Sequence, residues 1–338
     1  MQLAPRLVAP PTSQSAAGTD PPPLDGAPPP QGARLSARVE LLTAHLVVAL
    51  VALVAVGGAT RVMEAGLACP DWPLCYGLLL PGRQMNLQVF LEWFHRLDAF
   101  LVGLALLALA TVSLWRRQHL PPWLPRQAAA ALLLVAGQGA LGAFTVTRLL
   151  SPSVVTAHLA TALLLVALIS ATDQRLRIAR IAALQPAARA PMPGLWLSCV
   201  VVAAALVFAQ CVLGGLMASR WAADLCLQAG EGCQWLLRHR LAAGPATLAV
   251  FALLPVGLLA RPSRPGLPLL TGLAALLVVL QLALGVLTLR QLLSQPAVTV
   301  AHQLTAALLI AVLAALWGRS LPVAGSAAAS LTLEGIDG

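Results

Sequence analysis

Lysine is missing altogether: all 21 basic residues of this 338-residue chain are arginine. Codon usage in a GC-rich genome accounts for that, and it carries no functional weight. Charge of either sign is scarce, at 10% of residues. Soluble domains carry about 25% charged residues, so the deficit excludes a water-soluble protein. A hydrophobic fraction of 59% and a mean hydropathy of +0.84 point instead to an integral membrane protein lying in a lipid bilayer. The net charge of +9 is spread over short loops with no basic face, which argues against a nucleic-acid partner. The N-terminus lacks a basic segment followed by an apolar core and a cleavage site, so it does not read as a signal peptide. Asp20 and Asp25 speak against an organellar transit peptide. Residues 1–36, with Pro21-Pro22-Pro23 and Pro28-Pro29-Pro30, have too little apolar surface to fold and read as a disordered cytoplasmic tail.

What is present in quantity is long apolar runs. A span needs about 20 apolar residues to cross a hydrocarbon core of about 30 Å, and eight runs qualify: 41–60, 92–115, 127–147, 153–172, 195–219, 236–260, 267–289 and 297–317. The loops between spans two and three, four and five, and six and seven, together with both termini, hold 13 of the 21 arginines. By the positive-inside rule, both termini face the cytoplasm.

The chain also repeats itself. His95 and His239 are 144 residues apart, as are His158 and His302. Ala157-His158-Leu159-Ala160-Thr161 matches Ala301-His302-Gln303-Leu304-Thr305, and Gln138-Gly139-Ala140-Leu141-Gly142 matches Gln281-Leu282-Ala283-Leu284-Gly285. Two tandem four-helix units explain this pattern. An even number of spans per unit gives both one orientation, related by a pseudo-two-fold axis along the membrane normal. The expected fold is therefore an all-α membrane protein of eight transmembrane helices in two bundles. Its expected parts are a disordered tail (1–40), a first unit (41–172), a cytoplasmic linker (173–194), a second unit (195–317) and a C-terminal tail (318–338).

The four histidines fall just inside the outer ends of spans two, four, six and eight, a pair in each unit. A lone membrane histidine commonly just hydrogen-bonds a neighbouring helix. Imidazoles in register on facing helices are a way to hold haem iron within a bundle. His45 and His119 stand outside this pattern and read as structural or solvated. Cys69 and Cys75 share one outer loop, and Cys226 and Cys233 share another. On the oxidising side of a membrane, cysteines so paired are expected as disulfides; zinc is the alternative, which their spacing fits poorly. Cys199 and Cys211 lie within span five as small packing residues. Arg96, Arg148, Arg240 and Arg290 sit at outer helix ends. They are candidates for contacts to haem propionates through the planar guanidinium, against simple snorkelling to headgroups.

The two units differ in their acids. Glu92 stands three residues before His95, on the same helix face, whereas the matched position holds Leu236; Asp98 is matched by Ala242. Glu92 could be a salt-bridge partner of Arg96 four residues on. A carboxylate kept beside only one histidine pair also reads as that pocket's chemistry.

These residues resemble the haem A synthase family, membrane enzymes that oxidise a methyl group of haem O to a formyl group. The resemblance rests on Gly57-Gly58-Ala59-Thr60-Arg61, Cys69-Pro70-Asp71-Trp72-Pro73-Leu74-Cys75-Tyr76-Gly77, Glu92-Trp93-Phe94-His95-Arg96 and the later histidine and Gln/Gly motifs, over residues 41 to 317. The segment Met85-Asn86-Leu87-Gln88-Val89-Phe90 is similar to a cyanobacterial branch. The resemblance implies a haem b cofactor held by His239 and His302, haem O as substrate at His95 and His158, and Glu92 as the catalytic group. It also implies a plasma-membrane location, a haem O synthase and an electron donor as partners, and a terminal oxidase as recipient of the product. Self-association into a homo-oligomer is compatible with it. Two rival readings are a two-haem electron-transfer cytochrome without porphyrin chemistry, and a transporter built from parallel repeats. The Glu92/Leu236 difference counts against the first, and the matched histidines against the second.

Overall fold

Proline is best tolerated in the first turn of a helix, where its missing N–H has no intrahelical partner to lose, and four of the apolar runs begin that way. A computed structural model describes residues 31–222, 234–260, 264–292 and 294–323. Its helices are α1 (Gln31–Val62), α2 (Leu87–Trp115), α3 (Leu124–Thr147), α4 (Pro152–Leu184), α5 (Gly194–Ala222), α6 (Gln234–Ala260), α7 (Leu267–Arg290) and α8 (Pro296–Ser320). Proline stands in the first turn of α3, α4, α7 and α8. Asn86 caps α2 by accepting a hydrogen bond from the Val89 amide at 2.9 Å, an arrangement typically stabilising by about 1 kcal/mol.

The helices contain 24 to 33 residues. At about 1.5 Å per residue each is long enough to cross a bilayer core, and all eight are apolar enough to do so. No strand occurs among the described residues. The chain is an all-α, multi-pass membrane protein.

The helix neighbours follow one rule. Within the first four, α1 packs on α2, α2 on α3, α3 on α4 and α4 back on α1; α5 to α8 close the same ring. The halves join where α4 meets α8, α1 meets α8 and α4 meets α5. Exchanging each helix with the one four places on leaves this pattern unchanged. The crossings are matched in detail too. A Cβ on Gly58 would run into Gln303 of α8, and one on Gly215 would meet Leu159 of α4 at 3.0 Å. Gln303 and Leu159 are the residues that follow His302 and His158. The turns leaving α3 and α7 match as well, with left-handed backbone at Leu149 (φ 48°) and Leu292 (φ 51°).

Two helices exceed their apolar runs by ten residues or more. α1 begins at Gln31 rather than 41, so the tail expected over 1–40 is helical in its last ten residues. α4 continues to Leu184, through what reads in sequence as a linker, and a 3-10 turn follows at Pro186–Arg189. The cause is polar. Arg180 donates to both carboxylate oxygens of the buried Glu40 at 2.9 Å, Arg177 pairs with Asp173 at 2.8 Å, and Thr43 donates to Asp173 at 3.3 Å. The extensions of α1 and α4 thus hold each other.

The same end of the molecule is stitched further by arginine. Arg264, only 2% exposed, donates to the carbonyls of Arg319, Leu321 and Ala190. Arg319 in turn donates to Gln174 at 2.9 Å, and the Arg175 guanidinium lies 4.1 Å from the Trp123 ring centre. α8 ends at Ser320, three residues beyond the expected span.

Candidate haem-binding sites and the outer loop

The four histidines lie at one end of the bundle, opposite the arginine network. His95 is eight residues into α2, His158 six into α4, His239 five into α6 and His302 six into α8. The helical rise therefore sets all four at nearly the same depth, about 8–12 Å from the helix starts. His45 and His119 are exposed and belong to the other end.

In the first half the structure brings the His95 and His158 rings together edge-on, with ring centres 6.5 Å apart and planes at 77°. Two imidazoles binding one metal ion through nitrogens at roughly 2 Å, each ring adding its own radius, place their centres about 6 Å apart. The observed gap fits one iron. The Nδ1 atoms of all four histidines are buried without a hydrogen-bond partner among the described residues, so the described protein does not tie the rings through that nitrogen.

Glutamines brace the histidine turns. Gln138 donates to the His158 carbonyl at 2.9 Å and to the Thr161 hydroxyl at 2.6 Å, and Gln210 donates to the His239 carbonyl at 2.8 Å. Gln281 lies 3.3 Å from His302 Nε2. The Oε1 atoms of Gln210 and Gln281 are buried and unpartnered, so the second half has spare acceptors beside its histidines. Counting from the paired glycines, the first-half counterpart of Gln210 is Leu53.

The loop between α1 and α2 closes over the first half. Cys69 and Cys75 form a disulfide with a Cα–Cα distance of 4.7 Å. Glu92, 4% exposed, accepts from the Cys69 amide at 2.7 Å through Oε2 and pairs with Arg96 at 2.6 Å through Oε1. Arg96 also donates to the carbonyls of Asp71, Leu74 and Cys69, and Trp93 donates to the Leu79 carbonyl at 2.7 Å. Within the loop, hydrogen bonds from the Gly77 and Tyr76 amides hold the Asp71 carboxyl below the ordinary carboxylate range. The salt bridge foreseen between positions 92 and 96 is therefore formed, and the carboxylate also grips the loop. The described residues give Asp98 no hydrogen bond or ion pair.

Arg148, Arg240 and Arg290 are exposed at the same end, whereas the terminal nitrogens of Arg96 are committed to the loop. Cys226 and Cys233 lie outside the described residues. Cys199 and Cys211 are free and half-buried in α5.

Residues 40–314 match the model of the COX15-CtaA family, described as cytochrome oxidase assembly protein. The chain belongs to this family. Within its relatives, it is 33% identical over 202 residues to a heme A synthase of Shewanella oneidensis, covering 55% of this chain and 58% of that protein. It is 30% identical over 207 residues to a heme A synthase of Erythrobacter litoralis, covering 50% and 59%. The chain thus spans less than two thirds of the length of these curated relatives. A shorter stretch of 73 residues is 40% identical to a protoheme IX farnesyltransferase of Haloarcula marismortui, covering 22% of this chain and 15% of that one.

All four histidines and Glu92 fall inside the part of the chain matched to the COX15-CtaA family. Sequence reasoning did not foresee two things in this member. One is the Cys69 amide as the second partner of Glu92. The other is Gln210, whose signal is a lone amide in an otherwise apolar helix.

Proposed function

We propose that this protein oxidises the methyl group of haem O to a formyl group, as a haem A synthase. The observation that carries the reading is an asymmetry between otherwise matched halves. Both present a histidine pair at one depth, but the carboxylate that stands three residues before His95, Glu92, which pairs with Arg96 and accepts from the Cys69 amide of the disulfide loop, is matched by Leu236 in the second half. Membership in a family whose relatives include proteins named heme A synthase supports the same reading.

In this proposal His95 and His158 hold haem O as substrate. His239 and His302 hold a haem b, which supplies one-electron chemistry when bound. Glu92 is the polar group at the reacting pocket. Because both of its oxygens already accept hydrogen bonds, it acts from within the pair, fixing Arg96 and the loop over the bound substrate and presenting negative charge to the methyl edge. The loop excludes water from that face. Arg148, Arg240 and Arg290, exposed at this end, meet propionates. The two halves are related by a two-fold axis along the membrane normal. The protein lies in the plasma membrane with the arginine-rich end in the cytoplasm and receives haem O from a haem O synthase; converting the methyl to a formyl group removes four electrons and adds one oxygen atom, which calls for an oxidant such as dioxygen reduced with electrons from the donor, and the haem A goes to a terminal oxidase.

The test is pigment extraction after expression beside a source of haem O. The expected result is haem A in the extract, absent without the protein. Haem b and unaltered haem O alone would leave the electron-transfer cytochrome as the reading.

A further inference from the structure

Metal-bound histidines are normally held in rotation by a hydrogen bond from the ring nitrogen that does not bind the metal. Among the described residues that device is missing: the Nδ1 atoms of His95, His158, His239 and His302 are buried without a hydrogen-bond partner there, and of their other ring nitrogens that of His302 alone has a side-chain contact there, to Gln281. Instead, each ring lies against a glycine of the preceding helix: His95 on Gly57 of α1, His158 on Gly142 of α3, His239 on Gly214 of α5, and His302 on Gly285 of α7.

The contacts are graded. A Cβ added at Gly57, Gly214 or Gly285 would lie 2.8, 2.9 or 3.0 Å from the ring Cε1, whereas one at Gly142 would lie 3.7 Å away, an ordinary contact. A glycine inside a helix is less favourable than alanine by about 1 kcal/mol, so helix stability does not explain these four. The contacted atom belongs to a ring seated between helices, which has little freedom to give way.

We propose that Gly57, Gly214 and Gly285 are positioning residues that fix the rotation of the histidine rings, and with it the plane each imidazole presents to haem iron. The absence of a side chain replaces that hydrogen bond: the Cε1 edge of the ring lies against bare backbone and has one seat. Gly142 leaves slack at His158. The inference rests on the haem reading given above. Ring orientation is part of the ligand set that tunes a haem's electronic state, so its signature is spectroscopic and does not depend on turnover.

The experiment uses the full chain purified with its haem b. The readouts are the low-spin ferric electron paramagnetic resonance spectrum, the midpoint potential and the haem content. Gly214→Ala and Gly285→Ala are expected to move the highest g value and the potential, or to expel haem b from a protein that still elutes as a folded species. Gly272→Ala, on α7 with nothing within 4 Å of the added methyl, should change neither. Gly57→Ala and Gly142→Ala should leave haem b untouched; for added haem O, Gly57→Ala should weaken binding tenfold or more and Gly142→Ala by less than twofold. Releasing the ring from its tether gives a second arm. With His239→Gly and added imidazole, introducing Gly214→Ala should make no further difference; a persisting difference overturns the assignment.

Unchanged spectra and potentials at full haem content in both Gly214→Ala and Gly285→Ala would also overturn it, with the haem reading intact. A wild-type protein without a bis-imidazole low-spin signal would refute the haem reading itself, and the glycine assignment with it.

Discussion

Glu92 does two things that pull in different directions for a catalytic acid. It lies beside a proposed ligand, yet it spends both oxygens on Arg96 and the Cys69 amide. Removing one partner of a buried ion pair costs roughly 3–5 kcal/mol; because Arg96 keeps three carbonyl acceptors, Glu92→Gln belongs toward the lower end. That variant is expected to exchange its Cys69 amide hydrogen faster, retain haem b and form little or no haem A from haem O. Near-normal haem A formation would end the catalytic assignment, and an unchanged Cys69 exchange rate would end the gripping role. The histidines give a second residue-scale prediction. His239→Ala or His302→Ala should strip haem b from the purified protein, while His95→Ala or His158→Ala should leave most of it. Loss of haem b from His95→Ala alone would assign the halves the other way round. The pairing of Glu92 with Arg96 was legible because i and i+4 share a helix face. The Cys69 amide was not, since a backbone donor has no side-chain signature and reaches Glu92 only through the loop's path.

Among the elements, apolar length located all eight helices and the repeat located all four histidines. Where the reading fell short, polar residues were holding helix beyond the apolar run. Asp173, Arg177 and Arg180 look like solvated linker until Glu40 and Thr43 of α1 are seen opposite them. The loop between α1 and α2 was legible in its disulfide, since two cysteines close together in one loop between spans are expected to pair wherever that loop meets an oxidising compartment. Closing so short a loop constrains the unfolded chain by only about 2 kcal/mol, so the Cys69–Cys75 bond serves chiefly to shape the loop that Glu92 and Arg96 hold. By the repeat, the same bond is expected between Cys226 and Cys233. Non-reducing mass spectrometry should find that linkage beside Cys69–Cys75, and free thiols at 226 and 233 in freshly purified protein would refute it.

At the scale of the whole molecule, the arginine-rich end fixes how the halves sit. Arg264 donates to the carbonyls of Arg319 in the last turn of α8, Leu321 just after it and Ala190 just before α5, at 2% exposure. Hydrogen bonds to charged groups contribute about 1.5–3 kcal/mol each, so Arg264→Ala is expected to destabilise by about 3 kcal/mol after relaxation. Thermal unfolding in detergent should show the loss, with the haem b spectrum unchanged because the histidines lie at the opposite end; a spectral shift would mean that the two ends are coupled. The same arginines make the orientation testable. A reporter fused after Arg319 should be active only in its cytoplasmic form, and activity only outside the cell would invert the placement of the disulfide loop and all four histidines.

The packing of α1 against α8 has a consequence for the making of the protein. Most of the chain separates Val62 at the end of the first helix from Pro296 at the start of the last. At about 5–20 residues per second, translation leaves α1 waiting on the order of tens of seconds before its neighbour emerges. Through that interval Gly58, which receives Gln303 in the finished molecule, lacks its α8 neighbour. A ribosome stalled before α8 would hold a first half whose histidines are both synthesised but whose wall is incomplete. On the function proposed above, the pocket of His95 and His158 is therefore complete only after the last helix leaves the insertion machinery.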